Sequence, residues 1–123
     1  MADGLSVAVA DAAAGTIVGT SANDVQLHNG PPGAAGTANV ASVTTRQGAT
    51  WGSPSGGGVA TSNQQVWANW AGTNGEDITD ISLWSAPTSG TFGFSAALNS
   101  PVTMDTGDSL TITSISVTLP TAS

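Results

Sequence analysis

Ser109-Leu110-Thr111-Ile112-Thr113-Ser114-Ile115-Ser116-Val117-Thr118-Leu119 is the longest alternating run in the chain. Apolar and hydroxyl-bearing residues trade places at the period of a strand with one buried face. β-Branched residues dominate it, and these suit a pleated, half-buried surface. Leu110 and Ile112 share one face, and Ile115, Val117 and Leu119 take the opposite one. The inward phase therefore flips near Thr113-Ser114. Either a bulge re-aims one strand there, or the two halves pack against different partners.

Short strands bounded by turn signals recur upstream of this run. Val25-Gln26-Leu27-His28 alternates and stops at the breaker Asn29-Gly30-Pro31-Pro32-Gly33. Gly, Ala and Pro then make a loop of Gly30 to Asn39. Val43 to Trp51 predicts a strand with Val43, Thr45, Gln47 and Ala49 on one face and Arg46 on the other. Ser53 to Gly58 is a Gly-rich turn, followed by a short strand over Val59 to Ser62. Gln65 to Trp70 predicts a strand with Val66, Ala68 and Trp70 on one face and Trp67 on the other. Ile78 to Trp84 carries apolar residues on both faces, which predicts a bulge or two-sided burial. Thr91 to Leu98 is a further strand, Pro101 to Met104 a short edge strand, and Asp105-Thr106-Gly107-Asp108 a turn.

The N-terminal stretch is different. Leu5 to Ala14 is Ala-rich, places Leu5, Val9 and Ala12 on one helical face, and meets Gly15 as a natural stop. A strand competes there, because Leu5, Val7 and Val9 also alternate. A short helix is preferred. The pattern predicts a mostly β, single-domain protein, β-sandwich or jelly-roll-like, with a short N-terminal helix. Residues 1–20 form an N-terminal segment (helix or arm), and residues 21–123 the β-sandwich domain.

Composition limits what such a domain can do. The chain has 123 residues and a net charge of −7, with one cation, Arg46, against eight acids. Replacing the counterions of a phosphate backbone takes several Lys and Arg, so nucleic acid is excluded as a partner. Anionic membrane surfaces are excluded on the same ground, and no apolar run is long enough to span a bilayer. With no cysteine there is neither a disulfide nor a thiolate metal site. The N-terminus begins Met1-Ala2-Asp3, without the basic start of a signal peptide. Charged residues are only 7% of the chain, which suits a surface that is buried against neighbours.

The residues that carry chemistry are few. His28 is the sole histidine, Lys and Tyr are absent, and no Gly-x-Ser-x-Gly nucleophile turn occurs. No enzyme activity and no cofactor are expected. His28, at a strand end, reads as a hydrogen-bonding partner of the following turn. Glu76, Asp77 and Asp80, and Asp105 with Asp108, lack the spacing of a calcium loop and read as solvated turn acids. Arg46 reads as a structural ion pair or carbonyl clamp, with Asp24 or Asp80 as partner. Four tryptophans, Trp51, Trp67, Trp70 and Trp84, are many for this length. On a regular strand Trp67 and Trp70 cannot both enter one core. One of them is expected at a surface or a subunit contact, where an indole stacks on sugars or anchors an interface.

The ordered set of motifs resembles the small phage virion proteins labelled tail fiber protein or minor tail protein. The matching stretches are Val25 to Val40 with its Leu27-His28 and Pro32-Gly33, and Arg46-Gln47-x-x-x-Trp51-Gly52. They continue through Ser55-Gly56-Gly57-Gly58, Ile78-Thr79-Asp80-Ile81-Ser82-Leu83-Trp84, Gly90-Thr91-Phe92 and Gly107-Asp108-Ser109-Leu110. Together they cover residues 25 to 119. Asn29 stands where that family usually has Thr, and Pro31 where it often has Asp. The resemblance implies a non-enzymatic structural protein of a tailed-phage virion, made in the host cytoplasm. A minor tail or tail-fibre subunit comes first, with capsid decoration on the major capsid protein and a carbohydrate-binding module for host glycan as alternatives. The implied partners are other virion proteins and further copies of the chain, a trimer being favoured, with a host surface glycan as a further candidate.

Overall fold

The computed structural model describes residues 4–122. Met1, Ala2 and Asp3, on which the signal-peptide reading partly rests, lie outside them. The protein is mostly β, with antiparallel sheets and one N-terminal helix. Its elements are α1 (Val7–Ser21), β1 (Asp24–His28), β2 (Gln47–Gly48), β3 (Gly58–Ala60), β4 (Gln65–Trp67), β5 (Glu76–Trp84), β6 (Phe92–Met104), β7 (Leu110–Ile112) and β8 (Ser116–Thr118). A four-stranded sheet runs β2-β1-β5-β6, and two ribbons pair β3 with β8 and β4 with β7. One buried cluster draws Val25, Leu27, Ile81 and Leu83 from the sheet, Trp67, Leu110 and Ile112 from one ribbon, Val59 from the other, and Ala14 and Val18 from the helix.

The phase flip in the C-terminal run is resolved as two strands. β7 pairs with β4 and β8 with β3, so each half of the run packs against its own partner. β5 is buried on both faces towards its end and shifts register at Ile78/Asp80. At that shift β5 passes one residue, Thr79, while β6 passes Leu98 to Pro101. The segments predicted as separate strands around Pro101 are therefore one bulged strand. Pro101 is tolerated because β6 is at the sheet edge, where its missing N–H forfeits no ladder bond.

Three expectations need correction. The helix does not stop at Gly15. It starts at an N-cap, where the Ser6 hydroxyl accepts from the Val9 N–H, and runs to Ser21. Its buried row is Ala10, Ala14 and Val18, whereas Leu5, Val7 and Val9 are exposed. Packing outweighs the local cost of glycine here, because Gly15 lies close against Pro54. The strand predicted over Val43 to Trp51 shrinks to Gln47–Gly48. Its flanks instead make single hydrogen bonds to the rest of the fold: the Thr45 carbonyl accepts from the Trp67 indole, the Thr50 carbonyl accepts from the Ser62 N–H, and the Ala49 N–H donates to the Asn23 carbonyl. The third correction concerns the strand over Gln65 to Trp70, which ends at Trp67. Asn69 adopts φ +53°, and that left-handed residue swings the chain so that Trp67 and Trp70 both enter the core.

Candidate functional site

The face of the four-stranded sheet opposite the main core holds the polar residues. Pairing of β1 with β5 sets Gln26 beside Ser82, His28 beside Asp80 and Asp24 beside Trp84 on that face. His28 and Ser82 are both fully buried there. The His28 Nδ1–H donates to the Ala38 carbonyl at 2.9 Å, which leaves Nε2 to accept from the Ser82 hydroxyl at 2.6 Å. Ser82 Oγ in turn accepts from the Trp84 indole N–H at 2.7 Å. The chain of bonds runs from Trp84 through Ser82 and His28 to the loop after β1. Burial pushes the His28 imidazole below its ordinary value. The Ala38 and Asn39 carbonyls and Asp80 oppose this, and Arg46 reinforces it.

A serine hydroxyl on a histidine nitrogen is also the start of a hydrolase site. Here the second ring nitrogen is spent on a backbone carbonyl of the loop of residues 29–40, and both side chains are fully buried. The pair ties that loop to the sheet. Gly36 completes the closure at φ +73°, with a Cβ at this position falling 2.5 Å from the Phe92 ring. Phe92 packs at 5.4 Å against Trp84.

Arg46 lies over the Trp84 ring at 4.3 Å and donates from one guanidinium nitrogen to the Ala86 and Ser89 carbonyls, each at 2.8 Å. It forms a carbonyl clamp on the β5–β6 turn, and its hydrogen bonds go to no carboxylate. The expected pairing with Asp24 or Asp80 does not form. Two carbonyls of a tight turn, together with an aromatic face, suit a planar guanidinium.

The structure thus brings together His28, Arg46 and Trp84 of the residues singled out in the sequence. Trp51, Trp67 and Trp70 lie elsewhere, each donating its indole N–H to a carbonyl: Ala22, Thr45 and Thr73 respectively. Neither Trp67 nor Trp70 presents a face for stacking a sugar, since both are buried. Sequence reasoning missed Ser82, whose signal was a lone hydroxyl inside the apolar run Ile81-Ser82-Leu83-Trp84. Glu76, Asp77 and Asp80, which read in the sequence as solvated turn acids, instead lie on strand β5, and the Glu76 carboxylate is held by hydrogen bonds. That carboxylate accepts from the Asn29 amide at 3.0 Å and from the Ser42 N–H at 3.1 Å, as well as from the Ser42 hydroxyl. Burial alone would raise its pKa. The bonds from Ser42 and Asn29 outweigh burial and hold it below the ordinary value. Both ends of the loop after β1 are thereby fastened.

A groove of about 570 Å³ opens on another side, between β6 and the segment from β7 to β8. Ala96, Leu98, Val102, Leu110, Ile112 and Ile115 supply its apolar surface, and no residue lining it is charged. Among the described residues no helix is long and apolar enough to cross a membrane. The model of one protein family, described as podophage GP4 fiber I protein gp80, matches residues 1–120. No curated protein matches the chain.

Proposed function

Because this chain belongs to the podophage GP4 fiber I protein gp80 family, we propose that it is a non-enzymatic structural subunit of a tailed-phage virion, carried in a tail fibre. The match over residues 1–120 is the observation that carries this reading. The placement of the polar groups supports the non-enzymatic part, since His28, Ser82, Arg46 and Glu76 are each engaged in fastening a loop or turn. Other virion proteins are the natural partners of such a subunit, and a chain with one cation offers nothing to DNA.

Separating purified virions into heads and tails and quantifying the chain in each by mass spectrometry tests the location. The expected result is a low copy number confined to the tail fraction. A head fraction holding the chain at the copy number of the capsid lattice would overturn the fibre reading in favour of capsid decoration. Purified protein is expected to leave host cell-wall glycan intact, and turnover of that glycan would overturn the non-enzymatic reading.

A further inference from the structure

β6 and β7 each use only one edge. β6 pairs with β5, and β7 pairs with β4. Residues of both strands line the groove, together with the buried Ile81 and Ile115. Elsewhere the sheet and the β4–β7 ribbon are stitched together. Asn63 donates to the Gly48 carbonyl and accepts from the Thr50 N–H, and Trp67 donates to the Thr45 carbonyl. The β wall is closed on that side, whereas between β6 and β7 no pairing joins the two strands and the groove lies between them. Unpaired strand edges beside an uncharged groove lined by apolar and hydroxyl side chains are a template for an added strand.

The occupant must have both of its own edges free, or it could not pair with β6 and β7 together. It must be uncharged, as the lining is, and alternate apolar residues with small ones so that one face enters the groove. Leu5-Ser6-Val7-Ala8-Val9 meets each condition. Leu5, Val7 and Val9 are 40%, 48% and 54% exposed, and they are three of the five large exposed hydrophobic residues among those described. We propose that the Leu5–Val9 segment of one copy inserts as a strand between β6 and β7 of a second copy, so that the protein assembles by strand donation.

Donation gives up identifiable bonds. Leu5 N–H leaves the Pro120 carbonyl, Ala122 N–H leaves the Leu5 carbonyl, and the Ser6 cap on Val9 opens as the first helical turn unwinds. In exchange, a strand held on both sides pairs its N–H and C=O groups along its length, and three exposed apolar side chains are buried. Ala10 is fully buried and holds the rest of α1 in place. The inference goes beyond the fibre assignment, because it applies equally to a subunit on the head.

The native chain has no cysteine, which makes cross-linking a clean test. Val7→Cys protein is mixed with Thr113→Cys protein under mild oxidation. Thr113 lines the groove and is exposed. Mixed disulfide dimers well above the statistical ratio are expected, and a statistical mixture of products would overturn the proposal. Sedimentation of the native protein against Val7→Asp/Val9→Asp supplies the second arm. Asp is favourable in the first turn of a helix, so the folded monomer keeps its melting temperature, while charged side chains cannot enter the groove. Loss of the oligomer in this variant is expected. A native protein that stays monomeric at high concentration, or an oligomer that survives the double substitution, would overturn it. Neither readout depends on where in the virion the protein is found.

Discussion

Burial disfavours the charged form of His28, whose Nδ1–H and Nε2 are committed to Ala38 and Ser82. Its folded pKa lies below the 6.5 of the unfolded chain. Between those two values the unfolded state binds more protons, so stability is full above 6.5 and falls as pH drops through that window. His28→Gln removes this titration. Melting curves of the two proteins, taken from above to below 6.5, are expected to converge as pH falls. Parallel curves would mean that His28 does not titrate between the states. Glu76 acts at lower pH and in the usual direction for an acid. Its folded pKa is depressed, so its contribution is full above 4.5 and is lost as pH falls through the folded value. The carboxylate is half-buried and screened by solvent. Glu76→Gln is therefore expected to cost only about 1 kcal/mol at neutral pH and to flatten the acid limb of the melting curve. Arg46→Ala removes two charge-assisted bonds and the contact with Trp84, and chemical denaturation should show a loss of about 2 kcal/mol. Arg46→Lys should recover part of it, since an ammonium cannot lie flat on the ring while holding both carbonyls. An unchanged denaturation midpoint in Arg46→Ala would mean that the clamp contributes nothing. That Arg46 and His28 are structural hubs could be suspected from their rarity in the sequence. Their partners could not, because the Ala38, Ala86 and Ser89 carbonyls have no side-chain signature.

At the scale of elements, the strands that alternate cleanly were the legible ones. β1, β3 and the β7–β8 pair follow period two, and the break at Thr113-Ser114 marked the change of partner. What escaped pattern reading was decided by single backbone positions or by packing. A left-handed φ at Asn69 turns the chain after β4 so that Trp67 and Trp70 are both buried, and no periodicity predicts that. Gly15 stays helical because its face is covered by Pro54. Gly19 is a different case. It lies in the same helix, yet a Cβ there would meet nothing within 4 Å. Gly19→Ala should therefore stabilise the protein by about 0.5–1 kcal/mol, the ordinary advantage of Ala within a helix. A lower melting temperature in that variant would show that α1 needs the glycine for a contact it makes after assembly. Gly36→Ala should do the reverse. Its φ is positive and the new methyl would strike Phe92, so the loop over His28 has to lift.

For the whole molecule, the decisive quantity is the net charge of −7 set against a groove and a Leu5–Val9 segment that carry none. Copies of the chain repel one another at a distance, yet the surfaces proposed to meet are neutral. Salt should therefore strengthen their association. Raising ionic strength from 0.01 to 0.1 M shortens the screening length from about 30 to about 10 Å, which removes most of the long-range repulsion. It leaves backbone pairing and apolar burial nearly untouched. An interface built on ion pairs would respond in the opposite direction, because its attraction is what salt screens. With a single cation per chain, and that one occupied by the β5–β6 turn, ion pairing between copies has little to draw on. Sedimentation velocity at low and high sodium chloride reads the sign directly. Association that grows with salt is expected from a neutral seam between acidic bodies. Association that weakens with salt would mean that the copies meet through charged groups and that the gap between β6 and β7 is not the seam.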